Sequence, residues 1–90
     1  MDRGEAYRRL ANELASYRRL TYGELVQLVG KTYSHQANER GLEYVVDVKV
    51  AWFNPATGEI SVDGMIGGVN WGSPLSRFDD YFVASPSSQQ

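Results

Sequence analysis

The chain has 90 residues, of which 42% are hydrophobic and 22% charged, with no cysteine, one histidine and a net charge of −2. Such a chain is typical of an ordinary globular protein with a modest core, and we expect residues 1–85 to form a single domain. The composition excludes disulfide scaffolds, thiolate zinc sites, cysteine nucleophiles and any metal site that needs two imidazoles.

The chain shows no signal for a membrane or for nucleic acid. No apolar stretch approaches the roughly 20 residues that cross a bilayer, and the charged N-terminus does not read as a signal peptide, so we expect a cytoplasmic protein. Residues 1–31 hold six of the nine basic residues and four of the eleven acids, for +2, whereas residues 32–90 hold three and seven, for −4. This split suits docking between two parts of one fold or head-to-tail association of two copies, but it falls short of the dense basic patch of a nucleic-acid binder.

Two helices are predicted at the N-terminus. The first spans about residues 3–18, with Asp2 as its cap, and shows one apolar stripe that contains Ala6, Tyr7, Leu10, Leu14 and Tyr17. Thr21 and Glu24 fit a capping box that starts a second, short helix, and Gly30 is a natural stop for it. The pairs Arg8-Arg9 and Arg18-Arg19 spread around the first helix, which favours a solvated face over a nucleic-acid surface.

From Lys31 onward the apolar pattern changes from a period of 3.6 to a period of 2. It predicts strands over residues 31–37, 42–53, 59–66 and 79–85. Residues 38–41 and 54–58 have the composition of turns, and the glycine-rich residues that begin at Gly67 have that of an irregular loop. We expect the polar residues 86–90 to be a disordered tail.

The alternation also predicts faces and registers. A turn at 54–58 that pairs Phe53 with Glu59 sets Lys49 opposite Asp63 on an open face. It sets two pairs on the core face, Val50 with Val62 and Trp52 with Ile60. The same reasoning across residues 38–41 places two further pairs on the core face, Tyr33 with Val46 and His35 with Tyr44.

Three motifs allow a chemical and a structural interpretation, and we favour the structural one for each. His35 beside Tyr44 fits a general base or a half-buried sheet histidine. Asp79 and Asp80 fit a cation or acid–base site, yet neighbours in a strand point to opposite faces. The glycine-rich run from Gly64 lacks the Gly-Lys-Ser/Thr ending of a P-loop, so we expect a bulge or sharp sheet curvature there. We therefore predict no catalytic residue, metal or cofactor.

The loop around Trp71 is the most suggestive segment for binding. It holds Trp71, Leu75 and Phe78 near Arg77. This composition is typical of a binding hot spot. The alternative is that these side chains fold under the loop and close the core. On the open face, apolar residues add area that a partner or a second copy can cover: Val45, Ala51, Phe53 and Met65. The predicted binding residues are Trp71, Arg77, Phe78, Phe53, Lys49 and Asp63.

These patterns predict an α+β fold, with two N-terminal helices packed on one face of a three- to four-stranded antiparallel meander. The leading hypothesis is a non-catalytic protein-binding or regulatory module that docks a protein, or self-associates as a homodimer, through the open sheet face and the Trp71 loop. The alternative is a small-ligand-binding or minor enzymatic domain that uses the region of His35, Tyr44, Asp79 and Asp80.

Two short segments carry a resemblance. They are Tyr22-Gly23-Glu24-Leu25-Val26 and Pro74-Leu75-Ser76-Arg77-Phe78, separated by a long valine-rich strand. In this arrangement the chain resembles a group of small uncharacterised bacterial α+β proteins that end in a similar PLS-x-x-F segment. The resemblance covers most of residues 5–85 and implies neither catalytic residues nor an assigned function.

Overall fold

The computed structural model describes residues 3–39, 42–68 and 77–86. These residues form two helices followed by a four-stranded antiparallel sheet in the order β1-β2-β3-β4. The elements are α1 (Arg3–Arg18), α2 (Tyr22–Leu28), β1 (Thr32–Glu39), β2 (Leu42–Asn54), β3 (Glu59–Gly68) and β4 (Arg77–Ala84). The predicted α+β class and the N-terminal position of the helices are confirmed.

The start and the end of α2 follow the sequence signals. The Glu24 amide donates to Thr21 Oγ1 at 3.1 Å and the Thr21 amide donates to Glu24 Oε1 at 2.8 Å, so both halves of the capping box are present. After the helix, Gly30 has φ 89°, a conformation that glycine adopts without a Cβ penalty. The chain turns there into β1. Asp2, the predicted cap of α1, lies outside the described residues.

The register between β2 and β3 is the predicted one over most of its length. Lys49 pairs with Asp63, and Val50 pairs with Val62. The expected pair of Phe53 with Glu59 is wrong, because the register shifts there and Glu59 pairs with Asn54. Asn54 also closes the turn, since its carbonyl accepts from the Thr57 amide at 3.2 Å. The extra residue, Phe53, is therefore taken up as a bulge.

The register between β1 and β2 differs from the prediction by two residues. His35 pairs with Val46 and Tyr33 pairs with Val48, and β1 continues to Glu39 through part of the predicted turn. A shift of two residues keeps every side chain on its face, so the apolar pattern cannot distinguish the two registers.

Of the bulge or sharp curvature predicted at the glycines of β3, the bulge is absent from the pairing with β2. Gly67 and Gly68 continue the strand and pair with Val45 and Tyr44, while Gly64 pairs regularly with Val48. A Cβ on Gly64 would lie 2.8 Å from Leu10 Cδ1. Glycine at this position thus allows α1 to approach the sheet closely.

The core lies between the helices and one face of the sheet. α1 packs on β3 and β4, and α2 packs on β2. The helices contribute Ala6, Leu10, Leu14 and Leu25, and the sheet contributes Tyr44, Val46, Val48, Val50, Ile60, Val62, Ile66 and Ala84. Trp52, predicted on this face, pairs with Ile60 but is 42% exposed, because it lies at the bulged end of β2.

Arg8, Arg18 and Arg19 of α1 are exposed, as expected for a solvated face, whereas Arg9 is half-buried. The side chains of Arg9 and Arg18 also lie over aromatic rings of the sheet. The Arg9 guanidinium lies 5.1 Å from the Tyr44 ring centre, and that of Arg18 lies 4.4 Å from the Phe82 ring centre. Such contacts hold the alkyl stems of the arginines against the core edge.

Among the described residues, no helix is long and apolar enough to cross a membrane.

Candidate functional site

The face of the sheet that points away from both helices is the candidate site, and we call it the open face. Its residues follow from the alternation along each strand and from the observed registers. They are Thr32, Ser34 and Gln36 of β1; Glu43, Val45, Asp47, Lys49 and Ala51 of β2; Ser61, Asp63, Met65 and Gly67 of β3; and Arg77, Asp79, Tyr81 and Val83 of β4.

Met65 lies at the centre of the open face, between two carboxylates on the neighbouring strands. It pairs with Asp47 on one side and with Asp79 on the other. Asp63, two residues away on the same face of β3, pairs with Lys49 and Tyr81. Residues opposite each other or on the diagonal across neighbouring strands lie within about 8 Å, so the three aspartates form one acidic cluster around an apolar side chain.

Hydroxyl groups hold two of these carboxylates. Ser34 Oγ donates to Asp47 Oδ1, and Ser61 Oγ donates to Asp63 Oδ2 at 3.1 Å. Each serine lies on the open face, so these bonds fix the carboxylates along the sheet surface. The acidic cluster is therefore partly preorganised for a cationic group.

The surface around Met65 is concave. One depression of about 400 Å³ is lined by Thr32, Asp47, Lys49, Asp63, Gly64, Met65 and Asp79. A smaller one of about 200 Å³ is lined by Val45, Asp47, Met65, Gly67, Gly68 and Arg77. Because Asp47 and Met65 line both, the two depressions form one shallow trough along β2 and β3. We call it the Met65 trough.

The charges and exposed aromatics indicate what the open face can attract. Four carboxylates, Glu43, Asp47, Asp63 and Asp79, stand against two cations, Lys49 and Arg77, which leaves −2 on this face. Tyr81, on β4, is 57% exposed beside the trough. In the part of the chain that the structure describes, no group of three His, Cys, Asp or Glu residues is arranged to hold a metal ion. The arrangement thus suits a cationic side chain with an apolar stem.

The predicted binding residues do not all come together. Lys49, Asp63 and Arg77 share the open face, and Arg77 Nη2 lies 2.7 Å from Met65 Sδ. Phe53 is 58% exposed at the bulge. Phe78 lies on the helix-bearing face, where its ring centre is 5.1 Å from that of Tyr7. Trp71 lies outside the described residues.

Asp47 and Asp79 were not among the predicted binding residues. The alternation in β2 places Asp47 on the open face, so a usable signal for it is present in the sequence. Asp79 joins it only through the register of β3 with β4, in which Met65 pairs with Asp79. The residues between these strands, 69–76, are too many for the short hairpin loops whose length sets a register, so that register cannot be predicted from the sequence.

The residues of the alternative, enzymatic hypothesis do not converge. His35 Nδ1 lies 3.2 Å from Glu13 Oε1 at the β1 edge, whereas Asp80 lies on β4 at the other edge of the sheet. The hydroxyl of Tyr44 accepts from Arg9 Nη1 at 3.2 Å. Asp79 points to the open face, opposite to Asp80, as the alternation predicts.

One tyrosine of α1, Tyr17, has a perturbed pKa. Burial raises the pKa of Tyr17 above 10.0, and the Glu13 carboxylate and Tyr33 raise it further. A tyrosine with an ordinary pKa is already protonated at neutral pH, and this shift moves the titration of Tyr17 further from neutrality, which disfavours it as a general base.

No protein-family model, curated protein or solved structure matches this chain. The geometry of the open face therefore carries the functional inference by itself.

Proposed function

We propose that this protein is a non-catalytic binding module that docks a partner protein on its open face, through a basic segment of the partner that occupies the Met65 trough. The observation that carries the proposal is the cluster of Asp47, Asp63 and Asp79 around Met65. Lysine and arginine side chains combine a cationic head with an apolar stem, so one such side chain satisfies both parts of this surface.

The trough favours a protein partner over a small metabolite. It is shallow and open, whereas small-ligand sites are deep clefts that enclose most of their ligand. Met65 is unbranched and adaptable, as methionines at protein-docking surfaces are. Tyr81 beside it offers a large side chain of the type enriched in interfaces.

The charge of the open face favours a different protein over a second copy at this surface. If two open faces stacked on one another, a net charge of −2 would face an equal net charge of −2. Like charges across an interface oppose association. A basic partner meets the opposite sign, which speeds its encounter and makes the binding sensitive to salt.

The proposal can be tested with a library of random peptides displayed on phage, selected against the wild-type protein. We expect the selected peptides to be enriched in lysine and arginine next to apolar residues. The triple variant Asp47→Asn, Asp63→Asn, Asp79→Asn keeps the side-chain shapes and removes the negative charges. Each lost charge pair is worth about 0.2–1 kcal/mol, so we expect the triple variant to bind these peptides about tenfold more weakly.

Asp80→Asn is the matched control, because Asp80 neighbours Asp79 in sequence but lies on the other face. This variant should bind the selected peptides as tightly as the wild type. Peptides with no excess of basic residues, or equal binding by the triple variant, would contradict the proposal.

A further inference from the structure

The two edges of the sheet differ in how they are protected against a further strand. β4 carries Arg77, Asp79 and Asp80, and charges of this kind keep edge strands from pairing with other chains. β1 has no Asp, Glu, Lys, Arg or Pro from Thr32 to Asn38, and its register with β2 shows no bulge. Every side chain of residues 32–36 is exposed. β1 is thus an unprotected edge.

The backbone of β1 offers hydrogen-bonding groups on its outer side. At the start of the strand, the Val50 amide donates to the Lys31 carbonyl at 3.1 Å and the Val50 carbonyl accepts from the Gly30 amide at 2.8 Å, so both backbone groups of Val50 point to the β1 side. Hydrogen-bonded positions alternate in antiparallel pairs, so Tyr33 and His35 bond to β2. The amide and carbonyl groups of Ser34 and Gln36 then point away from β2. None of the described strands pairs with them, since β1 is the first strand of the sheet.

We propose that this edge pairs with β1 of a second copy of the chain, antiparallel about a two-fold axis, to give a continuous eight-stranded sheet. This proposal does not rest on the docking of a partner at the open face. In two-fold pairing, both subunits contribute the same strand. A two-fold axis is the commonest symmetry of homodimers.

Charge complementarity supports a second copy and selects its register. Lys31 precedes β1 and Glu39 ends it, with no Asp, Glu, Lys or Arg between them. When His35 lies opposite the partner's His35, Lys31 lies opposite the partner's Glu39 at both ends of the pair. Shifting this register by one hydrogen-bonded position in either direction separates these charges.

The main packing of the helices lies away from β1, although Glu13 of α1 reaches His35 at this edge. The main packing of α1 is on β3 and β4, and that of α2 is on β2. Tyr33, on the helix-bearing side of β1, is 39% exposed. In the dimer, this tyrosine packs near the partner's β1, so the new ladder also covers apolar surface.

The test is the dissociation constant of the dimer, measured by sedimentation velocity over a range of protein concentrations. Gln36→Pro removes an amide that points outward, so the bonds between β1 and β2 remain while the new ladder loses a donor. We expect it to weaken the dimer at least about tenfold, the effect of losing about one to two backbone hydrogen bonds. Gln36→Thr, which changes the side chain and keeps the amide, should leave the dimer intact.

A charge exchange tests the register independently of proline. Lys31→Glu and Glu39→Lys should each weaken the dimer, and the two substitutions together should restore it, which damage to the fold would not do. A wild-type chain that stays monomeric at all concentrations overturns the proposal. So does a folded Gln36→Pro variant that dimerises as tightly as the wild type, or a double exchange that restores nothing.

Discussion

The two faces of the sheet are built from the same strands but differ in the residues they present. On the helix-bearing face, β3 presents Ile60, Val62 and Ile66, all fully buried. On the open face, the same strand presents Asp63 and Met65, which lie in the acidic trough. Because side chains alternate, one strand can hold the core together with one set of residues and present a binding surface with the other. Changes on the two faces should therefore affect different measurements.

The largest expected contrast is between Leu10→Ala and Tyr81→Ala. Leu10 is fully buried against the sheet, so truncating it should lower the free energy of unfolding by about 2–5 kcal/mol. Tyr81 is more than half exposed on the open face, and truncating it should cost less than about 1 kcal/mol. Urea denaturation of both variants checks the prediction. Equal losses would show that the open face contributes to the core.

A smaller contrast is expected between two glycines of β3. In Gly64→Ala the new methyl group meets Leu10 and Leu14 of α1, so overpacking should cost about 1–3 kcal/mol. In Gly67→Ala the nearest atom belongs to the flexible Arg77 side chain, at 3.3 Å. The stability of that variant should stay within about 0.5 kcal/mol of the wild type. Denaturation midpoints give the comparison, and a Gly64→Ala variant as stable as Gly67→Ala would contradict the close packing of α1.

The smallest effect on stability is expected for Asp79→Asn. Asp79 is exposed near Asp47 and Asp63, so removing its charge relieves repulsion and should change the free energy of unfolding by no more than about 0.5 kcal/mol. The same substitution should weaken binding of basic peptides at the Met65 trough. A substantial loss of stability in urea would mean that Asp79 contributes to the stability of the fold, which would contradict a role in docking alone.

The sequence predicts those features of the fold that depend on local signals and periodicity. The capping box of Thr21, the extent of α1 and the pairing of Lys49 with Asp63 follow from short-range signals and are confirmed. The bulge at Phe53 depends on how Asn54 closes its turn, and the register of β1 is ambiguous by two residues. Neither is fixed by an apolar pattern that repeats every two residues.

The candidate site is predictable only in part for the same reason. Lys49 and Asp63 come together through a short turn, but Asp79 reaches Met65 through the pairing of β3 with β4 across a long connection. The sequence groups Phe78 with Arg77 as predicted binding residues. Neighbours in a strand face opposite ways, however, and Phe78 packs against Tyr7. The placement of such residues depends on tertiary pairing and not on local composition.

The most direct test of the docking account is an NMR titration of the ¹⁵N-labelled protein with the most enriched basic peptide from the phage selection. The account predicts that the amide signals that shift are those of the Met65 trough and its neighbours, around Asp47, Asp63, Met65, Asp79 and Tyr81, and that added salt reverses the shifts. Shifts concentrated on α1 and α2, with the open face unchanged, would contradict it.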